Sequence, residues 1–257
     1  MATFLFDEII FGPIHSRRLG NSLGVNLLPQ DKKYCNFNCV YCECGNNRQG
    51  GQINLPTRDC VAYALEKKLE QLKKDGGVVD SITFAGNGEP TIHPDFVGII
   101  DDTLKFRDVY FPKAKVSVLS NATMINRTKI VDALKKVDMN ILKLDSVISL
   151  TAKYINRPTV DYSVEKTVAL LEKFNGDFIL QTMFLSGWVG GIEINNMSDE
   201  ELDAWLGIVK KLNPKLVMIY TIARDTPEQG LVKASPQQLD SIKQKIENLG
   251  IKVQVSY

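Results

Sequence analysis

An open, partial α/β barrel of parallel strands is the fold this sequence predicts, and three observations carry the prediction. Short β-type runs alternate with helical runs from Leu23 to the C-terminus. The connections are short, which suits parallel strands joined by right-handed helical crossovers. The alternation yields six or seven such units, too few for a closed eight-stranded barrel.

Each element rests on a local signal. The stretch through Arg18 has no clear period and reads as irregular. Leu23 to Leu28 is the first strand, ending at Pro29. Residues 58–75 follow as a helix, with Val61, Leu65, Leu69 and Leu72 on one face and Gly76-Gly77 as the stop. Ser81 to Ala85 is the second strand. A helix opens near Pro94, a residue suited to a first helical position. Lys115 to Leu119 alternates as a third strand, residues 126–137 form a short helix, and Asn140 to Leu144 is the fourth strand. Residues 163–174 form a helix that breaks at Asn175-Gly176, and Phe178 to Phe184 is the fifth strand.

The Gly-rich stretch 185–197 reads as a loop, either a lid or a long connection. Ser198 and Glu201 form a capping box ahead of the stripe Leu202, Trp205, Leu206 and Val209. Leu216 to Ile222 is the sixth strand. Ser235, Pro236 and Gln238 open a last helix, lined by Leu239, Ile242, Ile246 and Leu249 and closed by Gly250. Ile251 to Val255 is a last strand. The 257 residues suit one domain, with an N-terminal extension (1–22), a barrel core (23–225) and a C-terminal helix and strand (226–257).

Composition narrows the function classes. The chain is 44% hydrophobic and 24% charged, which supports a packed core. A net charge of +1 gives no global field for nucleic acid or an anionic membrane. No stretch approaches the roughly twenty apolar residues of a spanning helix. Met1 to Asp7 lacks the basic opening of a signal peptide. Five cysteines, an odd number with no sign of export, fit a reducing, cytoplasmic setting.

The cysteines carry the chemistry. Cys35-Asn-Phe-Asn-Cys39-Val-Tyr41-Cys42 is a CxxxCxxC run with an aromatic before its last thiol. Three thiolates on one loop can hold three corners of a four-iron, four-sulfur (4Fe–4S) cluster. One iron then has no protein ligand, and an open position points to chemistry where a closed shell points to structure. Zinc with Cys44 as fourth ligand is the competing reading, although four ligands within ten residues are cramped. A disulfide pair conflicts with the odd count, and core thiols conflict with the polar neighbours Asp31, Lys32, Lys33, Asn36 and Asn38.

The spacing resembles the signature of the radical S-adenosylmethionine (radical SAM) enzymes. Further motifs extend the resemblance in family order. Ser16-Arg17-Arg18-Leu19-Gly20 lies inside the opening Phe11 to Asn26, Ala85-Gly86-Asn87-Gly88-Glu89-Pro90-Thr91 resembles the family's Gly-Gly-Glu element, and Ile155-Asn156-Arg157-Pro158 follows. Over about residues 11–225 the chain is similar to a poorly characterised Fe–S oxidoreductase group related to the wybutosine tRNA-modifying enzyme. The resemblance implies a partial (β/α)6 TIM-like barrel and two cofactors, a 4Fe–4S cluster on Cys35, Cys39 and Cys42 and S-adenosyl-L-methionine on the open iron. It implies reductive cleavage of SAM to a 5′-deoxyadenosyl radical that removes hydrogen from an unidentified substrate. It also implies an electron donor such as flavodoxin or ferredoxin. The wybutosine enzyme carries a second cluster on upstream cysteines. Here no cysteine precedes Cys35, so its tRNA substrate does not carry over.

Other candidates sit where strands of such a barrel end, the usual seat of function. In Gly86, Asn87, Gly88 and Glu89, glycines allow close backbone approach to a ligand such as the SAM methionine. Ser120 and Asn121 end the third strand, and Asn121 can reach a ribose hydroxyl. Lys143 and Asp145 flank the fourth, as a cofactor contact, a buried ion pair or a helix cap. Gln181 and Met183 share one face of the fifth, towards either the interior or the helices. Tyr41, Tyr220 and Ile222 suit an adenine wall or plain core. His15, Arg17 and Arg18 precede the first strand, as surface charge or as holders of an anion, either a substrate carboxylate or phosphate or the SAM carboxylate. The competing functions are a small-molecule radical SAM enzyme, one that modifies RNA or activates a glycyl radical enzyme, and, from another class, a non-catalytic zinc-binding module.

Overall fold

The computed structural model describes residues 4–47 and 52–257. Residues 1–3, at the head of the predicted N-terminal extension, and residues 48–51 lie outside the described residues. In chain order the elements are β1 (Ile10–Ser16), β2 (Gly20–Val25), α1 (Arg58–Lys74), β3 (Ser81–Phe84), α2 (Phe96–Tyr110), β4 (Lys115–Ser120), α3 (Thr128–Lys136), β5 (Met139–Lys143), α4 (Ser149–Asn156), α5 (Val164–Leu171), β6 (Ile179–Met183), β7 (Leu185–Val189), β8 (Ile192–Asn195), α6 (Asp199–Leu212), β9 (Leu216–Tyr220), β10 (Leu231–Lys233), α7 (Pro236–Glu247) and β11 (Val253–Ser256). Among the described residues no helix is long and apolar enough to cross a membrane.

The main sheet runs β1-β2-β3-β4-β5-β6-β9-β11 and curls into a half-barrel. From β2 onward every pairing is parallel, and β1 joins the edge antiparallel. Alternate residues face opposite sides. Val25, Phe84, Val118, Leu142, Leu180 and Val217 pack outward under the helices in the main core. The inner face is mixed. A hydroxyl chain links Ser22 to Thr83 (2.7 Å), Thr83 to Ser81 (3.0 Å) and Ser81 to Ser117 (2.8 Å). Opposite it, Ile141, Ile179 and Met218 form an apolar plug capped by Leu19.

Several expectations are corrected. The stretch before Arg18 is a strand, not irregular chain: β1 pairs with β2, with a register shift between Phe11 and Ile14 where Gly12 and Pro13 disturb the alternation. β2 begins earlier than predicted and ends at Val25. There the Asn26 side-chain oxygen takes over, accepting from Leu28 N–H at 3.2 Å and Asn87 N–H at 3.1 Å. α2 begins at Phe96, behind Pro94, because residues 90–92 already form a separate single turn capped by Glu89. α4 escapes the sequence reading: it has eight residues and no side-chain cap. Residues 185–197 are no loop. They form the hairpin β7–β8, which β10 extends into a three-stranded sheet. The capping box before α6 is half made. Ser198 accepts from Glu201 N–H, but the Glu201 carboxylate turns to the Ser146 hydroxyl at 2.8 Å. The box before α7 is complete.

Candidate functional site

The cysteine loop leaves the C-terminal end of β2, and two segments clamp it. On one side Tyr34 bridges to Gly88: Tyr34 N–H donates to the Asn87 carbonyl at 2.8 Å, and Glu89 N–H to the Tyr34 carbonyl at 3.2 Å. On the other, Phe37 bridges to Pro158, and Val40 N–H donates to the Ile155 carbonyl at 2.9 Å. Asn47 closes the loop, donating to the Cys35 carbonyl at 2.7 Å and accepting from Cys35 N–H at 3.1 Å. The small sheet β10-β7-β8 adds an apolar cover, since Leu185, Val189 and Ile194 pack with Phe37, Cys39, Val40 and Tyr41.

Donors and cations surround the three thiols. Phe37 N–H and the Asn121 amide approach Cys35 Sγ at 3.4 and 3.6 Å. The Asn156 amide approaches Cys39 Sγ at 3.6 Å. Lys33 is 3% exposed and donates to the Gly45 carbonyl at 2.9 Å. Burial works against its charge, but Cys42, Cys35 and Cys39 outweigh that and raise its pKa. As free thiols, burial pushes Cys35 up to about 12 and Cys39 up to about 11. Cys42 is the exception, drawn down to about 6 by a hydrogen bond from Cys44 and by Lys33. Cys44 also lies 3.5 Å from the Gly86 carbonyl, and Cys60 is exposed on α1.

This donor set fits an iron–sulfur cluster. Among the described residues no three ligating side chains gather as around a single ion. A cubane with one open iron asks for a thiolate on each of the other three, N–H groups towards sulfur and nearby positive charge to offset its anionic total. Cys35, Cys39 and Cys42, with Phe37 N–H, Asn121, Asn156 and Lys33, supply each of these.

Beside the thiols, Asp145 gathers the end of β5. Its carboxylate accepts from the Tyr41 hydroxyl (2.5 Å), the Asn156 amide (2.7 Å) and Met183 N–H (3.0 Å), and pairs with Lys143 Nζ at 3.2 Å. Lys143 Nζ also lies 4.3 Å from the centre of the Tyr41 ring. Burial disfavours its charge, yet Asp145 outweighs this and holds the pKa well above the ordinary lysine value. The Lys–Asp pair is therefore a buried ion pair that also anchors Tyr41 of the cysteine motif. Gln181, in register with Lys143 on the next strand, shares its inner face, and the Gln181 amide nitrogen is buried without a partner.

The Gly86–Glu89 segment is built more tightly than the sequence suggests. A Cβ on Gly88 would overlap the Tyr34 carbonyl, and its φ is +141°, so glycine is needed to seat the cysteine loop. The Asn87 side chain turns away from the thiols, donating to the Phe6 (2.8 Å) and Pro29 (2.8 Å) carbonyls and accepting from Phe6 N–H (2.9 Å). Glu89 is 2% exposed, and desolvation raises its pKa. It accepts from Ser120 Oγ at 2.9 Å, Asn121 N–H at 2.6 Å and Thr91. Glu89 thus holds Ser120 and Asn121, and the Asn121 amide meets Cys35.

The N-terminal candidates separate. His15 and Arg17 are exposed, and Arg17 donates to the Tyr257 carbonyl. Arg18 turns inward, with its guanidinium 4.7 Å from the centre of the Tyr220 ring. Three contributors escaped sequence reasoning. Asn156 stood inside the Ile-Asn-Arg-Pro motif without a role, and Lys33 stood in a polar run. Asn196, donating to the Asp145 and Met183 carbonyls at 2.7 Å each, had no sequence signal.

The chain is similar to known proteins in sequence and in fold. The sequence model of the Radical SAM superfamily matches residues 32–207, spanning the cysteine loop, Gly86–Glu89 and the Asp145 group. The chain is 31% identical over 253 residues to a protein of Brachyspira hyodysenteriae named GTPase Obg, covering 96% of this chain and 35% of that protein. It is 28% identical over 227 residues to a UPF0026 protein of Methanocaldococcus jannaschii, covering 86% of this chain and 65% of the relative. The chain therefore spans only part of these relatives. In fold it is similar to a radical SAM methyltransferase from Sphaerobacter thermophilus, with TM-score 0.67, 14% identity, 92% of this chain and 66% of that one. It is also similar to Streptococcus suis SuiB bound to S-adenosylmethionine, with TM-score 0.65, 17% identity, 92% of this chain and 52% of that one. A match across two-thirds of the sequence, opening just before the three thiols, makes this chain a member of the radical SAM superfamily.

Proposed function

We propose that Cys35, Cys39 and Cys42 hold a 4Fe–4S cluster, that S-adenosylmethionine binds its open iron, and that the enzyme abstracts hydrogen from a substrate in the half-barrel. One observation carries the reading: three clamped thiols face amide donors and a buried lysine at the C-terminal ends of parallel strands. When bound, this pair of cofactors supplies a one-electron cleavage of the carbon–sulfur bond to methionine and a 5′-deoxyadenosyl radical. The electron comes from a flavodoxin- or ferredoxin-type donor.

The chain's own residues orient and seal. Phe37 N–H, Asn121 and Asn156 stabilise negative charge on sulfur, and Lys33 adds a buried counter-charge. The Asp145 group fixes Tyr41, so the loop keeps one arrangement. Gln181, whose amide nitrogen is buried without a partner, would donate to the bound cofactor. The β7–β8 hairpin excludes water from the apolar side of the loop.

The test is anaerobic reconstitution. Wild type should bind about four irons and four labile sulfides per chain and release 5′-deoxyadenosine from SAM under reduction. Replacement of Cys35, Cys39 or Cys42 by Ala should abolish both, while Cys44→Ala and Cys60→Ala should retain both. Stoichiometric zinc without sulfide, or no SAM binding by the loaded protein, would sink the reading.

A further inference from the structure

The half-barrel contains a cavity of about 270 Å³ whose lining includes Phe6, Phe11, Arg17, Arg18, Glu43 and Arg224. One wall is aromatic. Phe11 lies against β2 at Gly24, where any Cβ would overlap its ring. Phe6 stacks on Phe11 with ring centres 3.6 Å apart and planes 18° apart. An apolar aromatic wall therefore lines the cavity.

The other wall is cationic, and its charges are not equivalent. Arg224 is paired with Glu43 at 2.5 Å, and Arg17 reaches out to the Tyr257 carbonyl. Arg18 has no such outlet. Its carbonyl accepts from the Gln254 amide at 3.4 Å, which fixes its backbone against β11. Its guanidinium lies over Tyr220, and Nη1 is buried with no hydrogen-bond partner. The inner carboxylates are already engaged: Asp145 by Lys143, Tyr41 and Asn156, and Glu89 by Ser120 and Asn121. A buried charged donor without an acceptor is unfavourable, and an incoming anion removes that penalty.

We propose that Arg18 is the anion-binding residue of the substrate pocket. The substrate carries a carboxylate or phosphate that docks on Arg18, while an apolar part packs against the aromatic wall of Phe6 and Phe11. The proposal rests on the reading of this half-barrel as the seat of a radical SAM reaction. The planar guanidinium takes two oxygens at once and lies over the Tyr220 ring, an arrangement a lysine cannot reproduce.

The test uses cluster-loaded protein and two probes, phenyl phosphate and benzoate, with phenol as the uncharged control. Calorimetric titration compares wild type, Arg18→Gln, Arg18→Lys and, as an exposed control, Lys129→Gln on α3. Saturable binding of at least one anion, tighter than phenol, is expected in wild type and in Lys129→Gln. Arg18→Gln should weaken it about tenfold or more, and Arg18→Lys should restore part of the loss. Which probe binds tighter separates a phosphorylated from a carboxylate substrate. SAM affinity should be the same with and without the probe. The proposal fails if wild type binds neither anion, if Arg18→Gln binds them equally, or if the probe competes with SAM, which would give Arg18 to the cofactor carboxylate. Cleavage of SAM by the same wild-type sample judges only the underlying reading. Absent cleavage with intact anion binding overturns that reading and leaves the anion site standing.

Discussion

Asp145 shows how much of this site depends on single buried atoms. Its carboxylate is the meeting point of Tyr41, Lys143, Asn156 and Met183. The Asp145 side chain is 0% exposed and that of Lys143 14%. Removing one partner of such a pair leaves an uncompensated charge, at a typical cost of about 3–5 kcal/mol. Asp145→Ala should lower the denaturation midpoint accordingly, and the double variant Asp145→Leu/Lys143→Met should recover part of the loss. Equal instability of the single and double variants would show that lost hydrogen bonds, not the stranded lysine, dominate. The thiols of this site were legible in the sequence because their spacing is local. Asn156 was not, because it meets Cys39 across 117 positions, and only the folded chain brings the two together. Asn87 is the converse case: its place in the motif was visible, but its side chain serves Phe6 and Pro29.

At the scale of elements, glycine decides where the cysteine loop can lie. Gly88→Ala would drive a Cβ into the Tyr34 carbonyl at a positive φ, and backbone cannot swing aside as a side chain can. A cost of about 2–4 kcal/mol is expected, or roughly 4–16 °C in melting temperature for a chain of this size. Iron retention should fall with it; a variant that melts like wild type would refute the clamp. A second element-level test concerns Asp138, before β5, which accepts from Val116 N–H and Arg107 at 2.8 Å each. Desolvation opposes its ionisation, but these two bonds outweigh it and lower the pKa. Its contribution is therefore present above the unfolded value near 3.9 and is lost as pH falls through the lower folded value. Asp138→Asn should flatten that acid limb in pH-dependent denaturation. The parallel strands and the capped helices α6 and α7 were readable because period and cap lie in adjacent residues. The hairpins were hidden by glycine. Gly190 and Gly191, at φ +59° and +82°, make the β7–β8 turn, while Gly187 admits the Gly230 carbonyl of the β10 side. A Gly-rich stretch thus read as a loop when each glycine answers a demand of strand pairing.

Across the whole molecule, the two ends of the main sheet meet at the turn between β1 and β2. β1 and β11 are its terminal strands, and the sheet order leaves them unpaired with each other. The turn crosses that gap: Arg17 bonds the Tyr257 carbonyl, Gln254 donates to the Arg18 carbonyl at 3.4 Å, and Arg18 covers Tyr220 on β9. Leu19 then plugs the interior against Met218 and Ile179. These are few and partly exposed contacts, the kind that open at low free energy while a sheet core stays closed. The closure and the proposed anion site share Arg18, so loosening one should loosen the other. Ending the chain at Lys252 removes β11 and both links to the turn. Hydrogen exchange should then accelerate in two separated places, at β9, which loses its parallel partner, and at residues 14–22, nearly two hundred positions earlier in sequence. Protection in β3 to β5 should change little, because their pairings do not involve β11. Faster exchange at β9 alone would mean that the turn holds its place without the C-terminal strand, and the half-barrel would then be closed by Leu19 and the Arg18–Tyr220 contact rather than by β11.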